Sequence, residues 1–543
     1  MGSRASNQAA AAATTAARGV LLTLAAGQFL MTLDSSVMNV SIATVADDLG
    51  TTVTGIQTAI TLYTLVMASL MITGGKIGTI IGRRKAFAIG CVIYACGSFT
   101  TSIAPNLGVL LFGWSLLEGI GAALIMPAIV GLVAANFPKG DRPRAYGLIA
   151  AAGAMAVAAG PLIGGLVTTC CSWRWVFAGE VLVVAVILIM VRRIADEPTG
   201  AHPKLDLVGS ALSVVGLSMA VFGVLRSGTW GWVQPKEGAP SWFGLSPTTW
   251  LIVGGAVVLW LLLEWEKHLK AAGREPLVDP SMLENKLLRG GLTMFFYQFF
   301  VQAGLFFIVP LFLSVVLGLS ALSTGLRLLP LSIMLLVAAV GVPRFFPQAS
   351  PRRVVRIGVF LLIAGVVSLI GGLELGAGAD ITTVPMILVG LGVGALASQL
   401  GAVTVSAVPD EQSGEVGGLQ NTLTNLGASL GTALAGSVLI ASLTATLLAG
   451  LSENPEVSQQ VSSQATTQLA AGVPFVSDAQ LETALADAGV PAEETDAIVD
   501  ENATARIQGL RAALFVIALM SVLALFFTGR IPDSPASREP TPA

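Results

Sequence analysis

Long runs of apolar residues, separated by short polar segments, recur along the whole chain. Fourteen of these runs approach or exceed the roughly 20 residues that an α-helix needs to cross a bilayer. The predicted spans cover residues 19–45, 55–74, 86–104, 107–136, 145–168, 174–192, 207–226, 249–266, 289–317, 322–343, 354–375, 381–408, 416–448 and 508–529. Helix is the expected state of each, because lipid offers no partners to backbone N–H and C=O groups. The pattern predicts an all-α integral membrane protein with fourteen transmembrane helices.

The distribution of positive charge predicts the orientation of these spans. If both termini lie in the cytoplasm, the inner segments hold 23 of the 29 Lys and Arg residues. Such an excess on the cytoplasmic side is typical of multi-pass proteins. We therefore expect a multi-pass protein of the cytoplasmic (inner) membrane with an even number of spans.

Composition restricts the chemistry of the chain. Of its 543 residues, 54% are hydrophobic and 11% are charged, and it has four Cys and two His. The spacing of these Cys and His indicates neither a metal site nor a disulfide framework. No phosphate-binding GxxxxGK[ST] sequence occurs, so an ion gradient rather than ATP is the expected energy source. We expect no cofactor, no metal and no nucleic-acid partner.

Two segments rich in small residues resemble each other and suggest an internal repeat. They are GAMAVAAGPLIGG (153–165) in the fifth span and LGASLGTALAG (426–436) in the thirteenth. The two segments lie eight spans apart, an offset that fits two six-helix bundles with two extra central helices. The predicted units are a cytoplasmic tail (1–18), an N-terminal bundle (19–192), two linking helices with their loops (193–288), a C-terminal bundle (289–529) and a second tail (530–543).

The outer loop between the last two spans, residues 449–507, is long and acidic. It carries ten Asp and Glu against the single Arg506, and a helical piece is expected near 478–489. Two interpretations stay open, a solvated acidic cap and a surface that attracts cationic substrates.

Four motifs in order resemble those of one transporter family. They are LDSSVMNVSIATV (33–45), GGKIGTIIGRRKAF (74–87), GPLIGG (160–165) and SWRWVF (172–177). Together with fourteen spans, they are similar to the fourteen-span drug:proton antiporter branch of the major facilitator superfamily. The resemblance implies two bundles that rock about a central cavity and export amphipathic compounds in exchange for protons. It assigns gating roles to Gly75, Gly78, Gly82, Arg83, Arg84, Gly160, Pro161, Gly164, Gly165 and Arg174.

The chain also departs from the family pattern. Thr79 stands where the family has an Asp, so Arg83 and Arg84 need another partner. Ser115 and Glu118 stand where the family has an Arg and a Gln in the fourth span. Glu180, near the outer end of the sixth span, replaces an Asn.

Three acids within predicted spans are candidates for proton coupling: Asp34, Glu118 and Glu180. A carboxyl at the centre of a bilayer is costly, by about 2.5–3.5 kcal/mol on insertion scales, and usually serves a cavity or a proton path. Asp34 also matches a family acid. The alternative for Glu118 is a protonated residue hydrogen-bonded between helices, with Trp114, Ser115 or a neighbouring helix as its partner.

Polar stripes on several spans are candidates for substrate binding. On a helical wheel, Gln28, Thr32 and Asn39 share a face of the first span that does not include Asp34. Amides among aromatic residues suit a large apolar or cationic ligand, although interhelical hydrogen bonding explains the stripes equally well. The candidates are Gln28, Thr32, Asn39, Gln57, Thr61, Tyr297, Gln298, Gln302, Asn421 and Asn425.

The leading functional hypothesis is a proton-coupled multidrug efflux transporter of hydrophobic or cationic compounds, acting as a monomer in the bilayer. The alternative is an exporter or flippase of an endogenous lipid or secondary metabolite. A membrane enzyme is disfavoured because no His lies in a span and the one large loop lacks His and Cys. Sodium in place of protons stays open.

Overall fold

The computed structural model describes residues 2–51, 53–192, 194, 204–236, 238–468, 473 and 475–534. In this part of the chain, sixteen helical segments longer than eight residues form the architecture. The helices are α1 (Gly2–Asp48), α2 (Val53–Ile81), α3 (Arg83–Ser102), α4 (Leu107–Asn136), α5 (Arg142–Cys170), α6 (Arg174–Val191), α7 (Leu207–Trp230), α8 (Pro247–Ala271), α9 (Lys286–Val316), α10 (Ala321–Phe345), α11 (Pro351–Gly372), α12 (Thr383–Ser406), α13 (Ser413–Glu453), α14 (Gln459–Gln468), α15 (Asp478–Asp487) and α16 (Ala492–Phe527).

Thirteen of the described helices are long and apolar enough to cross a membrane: α1, α2, α4–α13 and α16. The chain is therefore a multi-pass membrane protein. The helix α3, expected as the third of fourteen spans, is outside this set. It starts with Arg83, Arg84 and Lys85 and ends in hydroxyl residues, which lowers its hydropathy. It nevertheless packs against α4 and α6.

Some helix boundaries differ from the predicted spans. The helix α4 coincides with the predicted 107–136. The N-terminal segment expected as a tail is helical from Gly2, because its many alanines favour helix. The last long helix begins at Ala492, within the predicted outer loop, rather than at residue 508.

Helices of each half pack on one another, and α5 of the first half also packs against α10 and α12 of the second. In the first half, α1 lies along α5 and α3 along α4; in the second, α9 lies along α13 and α10 along α12. The pair α7 and α8 pack on each other, and α7 also contacts α2 and α13. One hydrogen bond joins Ser218 of α7 to Ser69 of α2 at 2.8 Å, and Trp232 donates to Ser437 of α13 at 3.1 Å.

The acidic loop folds onto the ends of α13 and α16. The helix predicted near 478–489 is confirmed as α15. A small apolar cluster that includes Leu447, Val473 and Ile498 lies beneath the loop. Arg506 is buried there, donates to the carbonyl of Val476 at 2.9 Å and pairs with Asp478. The loop is thus packed on the two helices, with Glu453, Glu456, Glu482, Asp487, Asp496 and Asp500 exposed among its described acids.

Candidate functional site

Three carboxyl groups from separate helices meet inside the first half of the molecule. Asp34 of α1, Glu118 of α4 and Glu180 of α6 each place an oxygen within 4.8 Å of the other two. Their exposed fractions are 0%, 0% and 2%. Each was a candidate from sequence separately, and the packing of α1, α3, α4 and α6 brings them together. We call these residues the carboxyl triad.

Local irregularity and small residues bring α3 and α4 close enough to build the triad. The segment Leu111–Glu118 of α4 is a π-helix, a form that is rare and frequent at functional sites. A Cβ added at Gly97 of α3 would meet Glu118 Cγ at 2.5 Å, and one at Gly113 would meet Thr101 Oγ1 at 2.8 Å. The absence of side chains at these two positions lets the backbones approach across the triad.

Neutral donors hold each carboxyl group in place. Trp114 Nε1 donates to both oxygens of Asp34, at 2.8 and 3.0 Å. The hydroxyls of Tyr94 and Ser98 donate to Glu180 Oε2 at 3.2 and 3.0 Å. Tyr94, Ser98 and Thr101 line one face of α3 at a spacing of four and three residues, a polar stripe that the sequence interpretation did not use.

Glu118 has the sparsest set of partners. Its Oε1 lies 3.4 Å from the hydroxyl of Thr101 on α3. The expected alternatives from its own helix bond elsewhere, since Trp114 binds Asp34 and Ser115 donates to the carbonyl of Ala59 at 2.8 Å. Within the described residues, Glu118 Oε2 and Glu180 Oε1 are buried without a hydrogen-bond partner, as is the hydroxyl of Tyr63.

The triad has no basic partner among the described residues, where no ion pair includes any of its members. Three negative charges at this separation in a dry interior repel one another strongly. Ionisation of the three carboxyl groups is therefore coupled and belongs to the group rather than to one residue. The three carboxyl groups carry six oxygens, the type of ligand that a hard cation also accepts, and together they form a group that could hold a metal ion.

A second feature is a set of bonds between the two halves at one end of the molecule, which we call the Arg142 end. Arg142 NH1 and NH2 bind the two carboxylate oxygens of Asp410 at 3.0 and 2.9 Å, a bidentate pair. Lys76 of α2 and Glu415 of α13 form a buried ion pair at 2.8 Å. Neither pair was identified from sequence, because their partners are more than 250 positions apart.

The two arginines that follow Thr79 in the loop motif, Arg83 and Arg84, bind carbonyl oxygens. Arg83 donates to the main-chain oxygens of Asp410 and Glu411, at 2.5 and 3.1 Å, and to that of Gly131 at 3.3 Å. Arg84 donates to the carbonyl of Ile194 at 3.0 Å. Main-chain oxygens are thus among the partners that these arginines use in place of the missing Asp. Thr79 itself donates to Gly75 of its own helix at 3.2 Å.

Glycines of the loop motif let α2 and α13 touch at the Arg142 end. A Cβ at Gly75 would meet the carbonyl oxygen of Gly414 at 2.5 Å. A Cβ at Gly78 would be in ordinary contact with Ala86 at 3.6 Å. Gly82 has φ of 98° between α2 and α3, a left-handed conformation that favours glycine.

The small residues of GPLIGG pack on α1 just beyond Asp34. A Cβ at Gly160 would meet Ser36 Oγ at 2.1 Å, and one at Gly164 would meet Val37 Cγ1 at 3.0 Å. A Cβ at Gly165 would meet nothing within 4 Å, and the side chain of Pro161 lies outside the described residues. This motif therefore joins α5 to α1 within the first half.

Arg174 lies at the opposite end, which we call the Asp48 end. It pairs with Asp48 and donates to the carbonyl of Ala104 at 2.8 Å. Trp173 Nε1 donates to Asp48 at 3.0 Å. The hydrogen bond from Arg174, followed by that from Trp173, lowers the pKa of the Asp48 carboxyl below its ordinary value. Arg174 thus ties the start of α6 to the end of α1.

The predicted substrate residues fall in several places. Gln28 donates to Thr32 at 3.2 Å, and both face Gly153 of α5. Thr61 is half-buried, and the side chains of Asn39 and Gln57 lie outside the described residues.

The remaining candidates lie in the second half. Gln298 is 4% exposed, and the Oε1 atoms of Gln298 and Gln302 are buried without partners in the described structure. Asn421 and Asn425 each donate to a carbonyl four residues earlier on α13, at 2.9 Å. Tyr297 stacks on Phe527 of α16, with ring centroids 5.4 Å apart.

The helical architecture and the buried polar site are those of a membrane transporter rather than an enzyme. Residues 24–432 match the model of the Major Facilitator Superfamily, and the chain belongs to this family. The human organic anion transporter MFSD10 has a similar fold, with a TM-score of 0.56 and 13% identity, over 95% of this chain and 98% of that one. The proton:xylose symporter XylE matches with a TM-score of 0.55 and 13% identity, over 96% and 98% of the two chains.

Several curated relatives are named as antibiotic or multidrug resistance proteins or as transporters. The puromycin resistance protein of Streptomyces alboniger is 28% identical, over 75% of this chain and 78% of its own length. The probable actinorhodin transporter of Streptomyces coelicolor is 29% identical, over 76% and 70%. The multidrug resistance protein Stp of Mycobacterium tuberculosis is 26% identical, over 76% and 74%.

Proposed function

We propose that this protein exports hydrophobic or cationic small molecules in exchange for protons, by alternating access. The observation that carries the proposal is the meeting of Asp34, Glu118 and Glu180 within 4.8 Å in a buried site. The names of the puromycin and multidrug resistance relatives support the substrate class.

The triad fits a proton-exchange role on physical grounds. Mutual repulsion and burial favour protonation while the site is dry. Entry of water, or of a cationic ligand nearby, lowers the energy of the charged form and favours release. The neutral donors Trp114, Tyr94 and Ser98 keep the carboxyls in position without neutralising them. Each proton released in this way is available to drive a change between two conformations.

The closed Arg142 end fits one state of the alternating cycle. With both termini in the cytoplasm, this end faces inward, and Arg83, Arg142 and Lys76 close it. Opening the inner side would break these bonds and separate Gly75 from Gly414. Charge distribution supports this orientation in the cytoplasmic membrane, with α3 as a fourteenth span. In this proposal the monomer is the working unit, and nucleic acid plays no part.

The triad can be tested in energised inside-out vesicles with a dye that reports the luminal proton gradient. Addition of lipophilic cations to wild type should evoke proton release. Asp34→Asn, Glu118→Gln and Glu180→Gln should each reduce it at least about tenfold, as expected for the loss of a proton-transfer group. Glu266→Gln is the matched control, since Glu266 is a buried acid on α8, 1% exposed, and is not part of the triad.

Two results would contradict proton coupling through this site. One is wild-type export that persists without a proton gradient. The other is proton release that survives in all three triad variants. Binding of a fluorescent cation, measured in the same preparations, separates loss of coupling from loss of folding.

A second candidate substrate class is a secondary metabolite made by the producing cell. The names of the probable actinorhodin transporter and of the tetracenomycin C resistance and export protein of Streptomyces glaucescens favour it. It uses the same triad and the same cycle. A panel that contains lipophilic cations, actinorhodin and tetracenomycin C distinguishes the two, because only the preferred class evokes proton release at low concentration.

A further inference from the structure

A groove between α3 and α6 at the Arg142 end combines positive charge with apolar walls. Its volume is about 510 Å³, and it is lined by Arg84, Lys85, Ala88, Leu188, Val191 and Arg192. Three of the six lining side chains are cationic and three are apolar. Leu188 lies eight residues beyond Glu180 on α6, about 12 Å along the helix, and the proposed transport cycle does not use the groove.

Its position on the molecule puts the groove at the edge of the membrane. The neighbouring side chains farther along the same helices are apolar and open to the surroundings: Ile89 is 45%, Val92 49%, Val186 55% and Ile189 60% exposed. An exposed apolar surface of this kind on a membrane protein faces lipid chains. The basic residues at the ends of these helices then lie at the level of the lipid headgroups.

We propose that this groove binds the headgroup of an anionic phospholipid, with the acyl chains lying along α3 and α6. Lys85 on α3 and Arg192 at the end of α6 are exposed and line opposite walls of the groove, so both walls are positively charged. Arg84 is held in place by its bond to the carbonyl of Ile194 at 3.0 Å. The negatively charged phosphodiester of a lipid such as phosphatidylglycerol complements this positive charge. Ala88, Leu188 and Val191 contact the start of the acyl chains. Basic pockets between transmembrane helices bind anionic headgroups by the same chemistry.

A bound lipid at this place would act on the closed end of the molecule. Arg83, the residue before Arg84, carries the bonds to the main chain at Asp410 and Glu411 in the other half. A headgroup that fixes Arg84 and Lys85 restrains the start of α3. The expected effect of anionic lipid is therefore greater stability of this conformation.

The test is a titration of the purified full-length protein with phosphatidylglycerol and with phosphatidylcholine of the same chains, followed by native mass spectrometry. Wild type should bind phosphatidylglycerol preferentially. The double variant Lys85→Gln/Arg192→Gln should bind it about 30-fold more weakly, because each basic residue that faces an anionic headgroup contributes about a factor of five. Arg84 is left unchanged because of its bond to Ile194.

A matched double variant controls for net charge. Arg344→Gln/Arg353→Gln removes two exposed arginines from the same end of the second half, outside the groove, and should leave the affinity within about twofold of wild type. Equal losses in both double variants, or no preference for phosphatidylglycerol in wild type, would overturn the proposal. Equally tight binding of glycerol phosphate without acyl chains would also overturn it, since the groove would then be a site for soluble anions. Thermal unfolding in phosphatidylcholine alone should be the same for all three proteins, which verifies that they are folded.

Discussion

The indole nitrogen of Trp114 donates to both carboxyl oxygens of Asp34, at 2.8 and 3.0 Å, across 80 residues of chain. The indole ring also stacks on Tyr63, with centroids 5.1 Å apart and planes inclined by 6°. One side chain thus positions a member of the carboxyl triad and packs α4 against α2. The indole donor is neutral, so it orients Asp34 without adding a charge beside it.

Trp114→Phe should destabilise the protein more than Trp173→Phe. Both tryptophans are buried, at 1% and 2% exposed, so the loss of apolar contact is similar. Loss of the Trp114 donor leaves the buried Asp34 carboxyl unsatisfied, at a cost of about 1–3 kcal/mol. Asp48, the acceptor of Trp173, is 42% exposed and keeps Arg174. Thermal unfolding in one detergent compares the variants, and equal shifts would mean that the bond to Asp34 adds no stability.

Lys76→Gln should be strongly destabilising, and a second substitution should reverse much of the loss. The single variant leaves the Glu415 carboxylate buried without its cation, an arrangement that costs about 3–5 kcal/mol. Lys76→Gln/Glu415→Gln has no buried charge at this position and should recover most of this stability. Unfolding midpoints of the three proteins provide the measurement. If the double variant is as unstable as the single one, the destabilisation comes from the loss of the ion pair itself and not from the unpaired charge of Glu415.

Gly75→Ala should open the Arg142 end, whereas Gly78→Ala should not. The added methyl group at Gly75 would lie 2.5 Å from the carbonyl oxygen of Gly414, and both atoms belong to rigid helices. At Gly78 it would lie 3.6 Å from Ala86, an ordinary contact. Overpacking of the first kind costs about 1–3 kcal/mol. The rate at which a thiol reagent labels a cysteine introduced at Thr79 reports the opening of the Arg142 end. Equal labelling rates in the two variants would argue against the contact between α2 and α13 as the cause of closure.

The pair between Asp48 and Arg174 should give a small stabilisation that disappears in acid. The Arg174 hydrogen bond holds the pKa of Asp48 below its ordinary value of 3.8. A depressed pKa in the folded state stabilises above the ordinary value, and this contribution is lost as pH falls through the folded-state value. Asp48 is 42% exposed, so the effect should be under about 1 kcal/mol.

The comparison is thermal unfolding of wild type and Arg174→Gln across pH. The stability difference should be present at neutral pH and should shrink below about pH 4. For Arg327→Gln, which removes an exposed arginine near the same end, the difference from wild type should not depend on pH in this range. A constant difference for Arg174→Gln would show that Asp48 is not the group to which Arg174 contributes stability.

Sequence periodicity was sufficient for most of the helices, and the departures at α3 and at the start of α16 each have a physical cause. Apolar length located α4 at 107–136 and all thirteen spans that the structure supports. Hydropathy alone does not define α3 as a span, because its ends carry Arg83, Arg84, Lys85 and Ser102. The long start of α16 was missed because acidic residues in 492–507 suggested a loop, whereas Ala497, Ile498 and Ala505 bury an apolar stripe.

The site was predictable only in part. Asp34, Glu118 and Glu180 stand out singly, since an acid among apolar residues is visible in any sequence. Their meeting depends on which helices touch, and the glycines at 97 and 113 that permit it have no distinctive local pattern. The partner of Glu118 was expected among several groups, of which Thr101 on the neighbouring helix is the one that the structure supplies. Contacts such as Lys76 with Glu415 span 339 positions and leave no local signal.

Because Arg83 binds main-chain carbonyl oxygens, some positions at the Arg142 end can be substituted without loss of its hydrogen bonds. Every amino acid carries the acceptor that Arg83 uses at position 411, so replacement of Glu411 leaves that bond in place. Position 410 is more restricted, because its carboxylate also holds Arg142. Among descendants of this chain, residue 411 is therefore free to vary while residue 410 and Arg142 must change together.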